Sequence, residues 1–196
     1  MNKLKDVSYY IDDNFVPKDI QDELELSLLN DQYFPWYYTE KTVSQSNLKS
    51  SHNLFEKEHF FHSFITDGEV TTDHRYKIRN LIKLLPEKDR LFRVKTNMMF
   101  QDKDGDPNAY NTPHYDYEWE KEGKRYQKNF YVALYYCLDS DGDTFIFDKD
   151  EKVIDRISPK KGRMVFMRGD ILHASRHPIK SKRRLVINMD IFPNEV

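Results

Sequence analysis

The chain has 196 residues, the length of one domain, with 31 Lys and Arg against 33 Asp and Glu and with 13 Tyr and 13 Phe to build a core. Its net charge of -2 excludes a nucleic-acid binder that works by bulk charge. The single cysteine, Cys137, excludes an intramolecular disulfide and argues against a cysteine-based zinc site.

Residues 7–16 alternate weakly and predict a short strand. Pro17 opens a helix at its first turn, where the missing N–H costs nothing. Ile20, Leu24 and Leu28 form its apolar stripe, and Asn30-Asp31 ends it. Residues 34–38 begin a strand, and the polar run 44–53 is a loop. Phe55 to Ile65 is aromatic, with His59 and His62 three apart, a spacing that places both on one face of a helix. With no carboxylate at ligand spacing beside them, they read as surface or half-buried histidines rather than metal ligands. Asp73 caps a helix to about Leu85, which buries Ile78, Leu81, Ile82 and Leu85 before Pro86 stops it. Leu91 to Phe100 is a strand with Phe92, Val94, Thr96, Met98 and Phe100 on one face, followed by the loop 102–111.

Short strands then follow one another. They are His114–Trp119, Phe130–Leu138, Thr144–Phe147, Lys152–Ile157, Arg163–Met167, Ile171–Ser175 and Arg184–Phe192, with a charged hairpin-like segment at 120–128. Strands at this spacing, separated by turn residues, mean a sandwich or barrel. The class is α+β: supporting helices mainly within 17–86, a β core over 91–192, and one domain spanning 1–196. No stretch approaches the ~20 apolar residues of a membrane span, and the first residues lack a signal peptide's apolar run. A soluble protein of a reducing, cytoplasm-like compartment is expected.

The chemistry centres on Asn111-Thr112-Pro113-His114-Tyr115-Asp116. In extended chain, residues i and i+2 point the same way, so His114 and Asp116 can converge. His173 starts a later strand after a Gly-Asp turn. Two imidazoles and one carboxylate form the ligand set that leaves the far side of a non-heme Fe(II) open. The motif alone weighs evenly between that site and a surface His114 with a core His173. An organic acid bound to such a metal needs a cationic anchor at its other end, and Arg183 or Arg184 can supply one bidentately. The two arginines face opposite ways on one strand, and periodicity does not choose between them.

Several stretches together carry a family resemblance: Pro-His-Tyr-Asp at 113–116, Leu-Tyr-Tyr-Cys-Leu-Asp at 134–139, Asp-Gly-Asp-Thr at 141–144, Lys-Gly-Arg-Met-Val-Phe at 161–166, Ile-Leu-His-Ala at 171–174 and Arg-Arg-Leu-Val-Ile-Asn at 183–188. In order and spacing, residues 91–192 resemble the 2-oxoglutarate- and Fe(II)-dependent oxygenases of the prolyl 4-hydroxylase type, most of all the compact members of phages and bacteria. The resemblance implies a double-stranded β-helix, or jelly roll, with Fe(II) held by His114, Asp116 and His173. It implies that Tyr136 and Arg184, rather than Arg183, bind the far carboxylate of 2-oxoglutarate. Val186 departs from the family, which usually carries a small hydroxyl residue there. Asn97 and Tyr110 match positions that line the substrate side.

The implied activity is that of a hydroxylase. O2 and 2-oxoglutarate are consumed, succinate is released, and a substrate C–H is hydroxylated, with peptidyl proline the best match. Tyr110, Tyr115, Tyr117 and Trp119 around the site suit an extended peptide, and the segments 44–53 and 120–128 are candidates to close over it. Two rivals are an oxygenase of the same chemistry acting on nucleic acid or a small molecule, and a non-catalytic jelly-roll binding module. The expected location is the cytoplasm, the host's if the protein is phage-encoded.

Overall fold

The computed structural model describes residues 2–43, 48, 51–117, 119–121, 124–126 and 130–192, the two short runs 119–121 and 124–126 by backbone alone. Strand β1 is Tyr9–Asp12, helix α1 Lys18–Leu29, β2 Tyr37–Thr39, β3 His59–Thr66 and β4 Glu69–Val70. A 3-10 turn at Asp73–Ile78 runs into helix α2, Arg79–Leu84, and β5 is Leu91–Phe100. Then come β6 Trp119–Lys121, β7 Lys124–Tyr126, β8 Tyr131–Tyr136, β9 Thr144–Phe147 and β10 Val153–Ile157. The last strands are β11 Met164–Arg168, β12 His173–Ser175 and β13 Arg183–Ile191.

The large sheet has the order β1-β11-β8-β13-β5-β3-β2, with β4 on β3, and a small sheet has the order β10-β9-β12. The pairings are antiparallel and neither sheet closes on itself. This is a jelly-roll-type arrangement with helices on one side, an α+β class as the sequence predicts.

Side-chain alternation divides the core into two layers. Ala133, Tyr135 and Cys137, with Leu185, Ile187, Met189 and Ile191, pack against Leu24 and Leu28 of α1 and Leu81 and Ile82 of α2. Each buried leucine of α1 contributes about 1.5–3 kcal/mol. The other parity, Val132, Leu134, Tyr136 and Val186, packs with Ile146 and Ile157 of the small sheet. The face of β13 that carries Arg184, Val186, Asn188 and Asp190 therefore looks between the two sheets.

Four expectations are corrected. Phe55 to Ile65 forms no helix: its β-branched and aromatic residues enter β3, so His59 and His62 leave on opposite faces. His62 packs on Phe34, Phe64 and His74 instead. The helix expected from Asp73 begins as a 3-10 turn capped by Thr72, whose hydroxyl accepts from His74 N at 3.2 Å, and becomes α-helical only at Arg79. The strand expected over 114–119 is absent from 114–117, where His114 makes one isolated bridge to His173, and Trp119 belongs to β6 instead. Phe92 leaves the face of Val94 and Met98 at the register shift where Asp190 lies opposite Arg93 and Ile191 opposite Leu91. It packs instead on Tyr117 and Phe192.

Candidate active site

The bridge between His114 and His173 is what brings the ends of the motif together. The two residues exchange backbone hydrogen bonds, His114 N to His173 O at 2.9 Å and His173 N to His114 O at 3.1 Å. Each imidazole is then fixed by its own chain. His114 Nδ1 donates to Thr112 O at 3.0 Å, and His173 Nδ1 donates to Ile171 O at 3.0 Å. A carbonyl oxygen only accepts, so Nδ1 carries the proton on each ring and the Nε2 lone pair is left for a ligand. Burial, reinforced by the neighbouring His173, pushes His114 down to about 4 and keeps that lone pair free at neutral pH.

Asp116 completes the group. Its Oδ1 accepts from the Arg93 guanidinium and from Asn188 Nδ2, the latter at 2.8 Å. Its Oδ2 is buried without a hydrogen-bond partner and lies 3.4 Å from His173 Nε2. Burial alone would raise this carboxyl, but the Arg93 charge, first among its neighbours, outweighs it and holds Asp116 ionised. One ligand atom from each of His114, Asp116 and His173 lies within 4.8 Å of the others. Two imidazole nitrogens and one orphaned carboxylate oxygen, converging from one side, fit Fe(II) with open positions opposite. Arg93 also approaches Asp190, its Nε 2.8 Å from Oδ2, at an angle that makes an ion pair but no hydrogen bond. Asp190 is fully buried, and burial followed by repulsion from Asp116 raises its carboxyl.

A cavity of about 110 Å³ runs from this group to Arg184. The Arg184 side chain is buried, whereas Arg183 is half-exposed. Arg184 Nε donates to Gly142 O at 2.8 Å and Nη2 to Thr144 Oγ1 at 2.9 Å. No carboxylate pairs with it among the described residues, and a buried guanidinium without an anion calls for an anionic ligand. Position 142 is glycine for a steric reason: a Cβ there would lie 2.9 Å from Arg184 Cδ and 2.7 Å from Arg176 O. Tyr136 stands differently from its expected place. Its hydroxyl donates to Thr144 Oγ1 at 2.7 Å, and it is Thr144, not Tyr136, that lines the cavity. The Thr144 hydroxyl is thus present beside Arg184, where Val186 offers none.

Asn97, Tyr115, Leu134, Val186 and Ser175 also line the cavity. Tyr110 does not: it packs on Phe145 and Phe147 behind the small sheet, with its hydroxyl 3.1 Å from His52 Nδ1. Tyr117 packs on Phe92 and Phe192. The Trp119 side chain, most of the segment 44–53 and the side chains of 120–128 lie outside what the structure describes. Sequence reasoning missed Arg93, Lys95, Thr144 and Asn188. The signal for the first two was present, because Arg93, Lys95 and Asn97 alternate with Val94, Thr96 and Met98, and polar residues at every second place mark a wet face. It also missed Glu56, whose carboxylate accepts from Thr112 N and, at 3.1 Å, from Thr42 N, tying the segment before β3 to the run that leads into His114.

A family model described as the 2OG-Fe(II) oxygenase superfamily matches residues 96–191. No curated protein matches the sequence. Among solved structures, a prolyl-4-hydroxylase of Pseudomonas putida is similar with a TM-score of 0.59 at 12% identity, covering 98% of this chain and 96% of that one. A Trichoplax adhaerens prolyl hydroxylase in complex with a hypoxia inducible factor oxygen degradation domain peptide fragment gives a TM-score of 0.60 at 12% identity, covering 97% and 86%. HygX of Streptomyces hygroscopicus, with nickel, 2-oxoglutarate and hygromycin B bound, gives 0.56 at 9% identity, covering 98% and 86%.

Proposed function

We propose that this chain, whose residues 96–191 match the 2OG-Fe(II) oxygenase superfamily, is an Fe(II)- and 2-oxoglutarate-dependent dioxygenase that hydroxylates peptidyl proline. The observation that carries this reading is the open side of the cavity. Tyr37 pairs with Phe61 across β2 and β3, and Phe61 pairs with Asn97 across β3 and β5, so one row of side chains leads from the edge of the large sheet to the metal group. An extended peptide fits such a row, with its target residue at Asn97. Prolyl hydroxylases among the structural neighbours support the same choice.

Bound at this site, Fe(II) and 2-oxoglutarate supply the oxidising chemistry: O2 is reduced, succinate and CO2 are formed, and one oxygen atom goes to a substrate C–H. The protein's own share is positional. His114 and His173 present Nε2 and Asp116 presents Oδ2, each already oriented by the hydrogen bonds at its other atoms. Arg184 and the Thr144 hydroxyl hold the far carboxylate of 2-oxoglutarate, with Tyr136 fixing Thr144 from behind. Leu134 and Val186 form an apolar wall that excludes water from the reacting atoms. We read 1–196 as one catalytic unit, because β2 and β3 from the first half extend the sheet that carries the site. No helix among the described residues is long and apolar enough to cross a membrane, and the buried, unpaired Cys137 suits a reducing cytoplasm.

The test is mass spectrometry of candidate substrates after incubation with Fe(II), 2-oxoglutarate and O2. Proline-containing peptides should stimulate succinate formation and gain one oxygen atom, and oligonucleotides should bind weakly and in a salt-sensitive way. An oxidised base or a hydroxylated small molecule, with all peptides unmodified, overturns the proline reading. Failure to bind Fe(II) at all favours a binding module.

A further inference from the structure

Lys95 is a cation without an anion. It stands on β5 opposite Asn188 of β13, on the wall of the metal cavity. Its ammonium lies 4.3 Å from the centroid of the Phe61 ring, and it makes no ion pair or hydrogen bond among the described residues. The one carboxylate of that wall among the described residues, Asp116, is engaged by Arg93, as is Asp190 beside it on β13. Burial first, and then the Arg93 charge, push the Lys95 amine down to about 8, against the pull of Asp116. A lysine at a protein surface normally carries its ammonium out to water. Here the head group stays over an aromatic ring inside the cavity, where an anionic ligand would repay its desolvation.

Two observations direct that anion to the substrate rather than to the cosubstrate. Met99, not Lys95, is the β5 partner of Arg184, and Lys95 stands four residues further along the strand, about 13 Å at strand rise. Lys95 also borders the row that leads out of the cavity. Phe61 beneath it is 5.9 Å from the Tyr37 ring, and Tyr37 at the sheet edge is 54% exposed.

We propose that Lys95 is a specificity-determining residue that reads a carboxylate on the peptide, an Asp or Glu side chain next to the residue that is oxidised, with the chain lying across Phe61 and Tyr37. One uncommitted charge matches one carboxylate, since Arg93 is held by its own acids. The inference rests on the peptide dioxygenase reading given above and is independent of proline as the target.

The experiment uses short synthetic peptides with a central proline flanked by Glu, Gln or Lys, a matched series with alanine at the centre, and a single-stranded oligonucleotide. Succinate formation, substrate mass and equilibrium binding to the Ni(II)- and 2-oxoglutarate-loaded protein are measured for the native chain, Lys95→Met and Lys95→Glu. The Glu-flanked peptides should exceed the Gln-flanked ones by about tenfold in kcat/KM, as a charge-assisted contact provides. Lys95→Met should erase that preference without moving the KM for 2-oxoglutarate, and Lys95→Glu should transfer it to the Lys-flanked peptides. An acid preference in which another residue takes the oxygen upholds Lys95 and overturns proline. Proline hydroxylation at one rate whatever the flank upholds proline and overturns Lys95. The inference also falls if Lys95→Met raises only the 2-oxoglutarate KM, if the oligonucleotide alone depends on Lys95, or if the acidic peptides neither turn over nor bind.

Discussion

Replacing Arg93 with methionine should separate the stability of the site from its chemistry. Arg93 is one cation serving two carboxylates, and both are out of water: Asp116 is 2% exposed and Asp190 is 0% exposed. Removing one partner of a buried ionic group costs about 3–5 kcal/mol, because the remaining charge is left uncompensated. The Arg93 side chain is itself 30% exposed, so part of its charge is already screened by solvent and the low end applies. Arg93→Met should therefore lower the stability of the metal-free protein by about 3 kcal/mol in urea unfolding. It should also weaken Fe(II) binding and turnover by about 10–100-fold, since Asp116 Oδ1 keeps only its bond to Asn188 and can rotate out of its one-oxygen presentation. The double variant Arg93→Met/Asp190→Leu removes the second stranded acid. It should regain most of the stability and none of the metal affinity. A loss below about 1 kcal/mol in the single variant, or activity restored together with stability in the double one, refutes the claim that Arg93 acts by orienting Asp116.

Asp116→Ala should abolish turnover and sharply weaken Fe(II) binding while far-UV circular dichroism stays unchanged, and native-level turnover would remove Asp116 from the metal group. Arg184→Met should raise the KM for 2-oxoglutarate by about 10–100-fold, the worth of hydrogen bonds to a buried charge, with Thr144→Val in the same direction and Arg183→Met near native; an equal effect at Arg183 contradicts the assignment. Gly142→Ala should destabilise the protein by about 1–3 kcal/mol and raise the same KM, because its Cβ would meet backbone at Arg176 O, 2.7 Å away, as well as Arg184 Cδ. His59 is buried and held down to about 4, by burial first and then by Lys95. Between its unfolded value of 6.5 and about 4 the unfolded chain binds more protons than the folded one. Its contribution is thus whole above pH 6.5 and is lost as pH falls toward 4, on the order of 3 kcal/mol in all. His59→Gln should reduce the pH slope of the Tm of the metal-free protein across that window, leaving the part due to His114, and a native slope would contradict the linkage.

The strands of the second half were legible because each is short, alternates cleanly and is bounded by Gly, Pro or Asp turns. Pairing of His114 with Asp116 was legible from spacing, but the reason for their convergence was different. His114 is held by one bridge to His173 and not by a strand of its own. Periodicity left Arg183 and Arg184 open and only the resemblance pointed to Arg184, because the inward face of β13 depends on which side the helices cover. Phe55 to Ile65 misled because a three-residue spacing of histidines looks helical, while tertiary pairing with β5 on one side and β2 on the other made it a strand. Thr144 and Asn188 were silent in local periodicity, and the alternation that marks Arg93 as facing a wet side does not name its partners, for one reason. Each acts through a partner more than twenty residues away, so no local period records it.

The charge balance of the cavity ties these residues to the kind of ligand the site accepts. Among the described residues that line it, the fixed charges are Arg93, Lys95 and Arg184 against Asp116. Asp190 reduces the excess only in part, because burial and Asp116 raise its carboxyl toward the neutral form. A divalent metal and a dicarboxylate dianion bring equal and opposite charge, so loading both leaves the positive surplus where it was. Coulomb energies in a water-poor cavity are several times those in bulk water, and a neutral substrate would leave that surplus unanswered. The protein can tolerate it at rest because Lys95 keeps contact with an aromatic face and some solvent. A substrate that brings a carboxylate against Lys95 while its target carbon reaches the metal cancels one charge at the moment the cavity closes to water. Discrimination between acidic and neutral substrates should then weaken with added salt far less than at an exposed lysine, for the pair forms inside the cavity, where screening is weak.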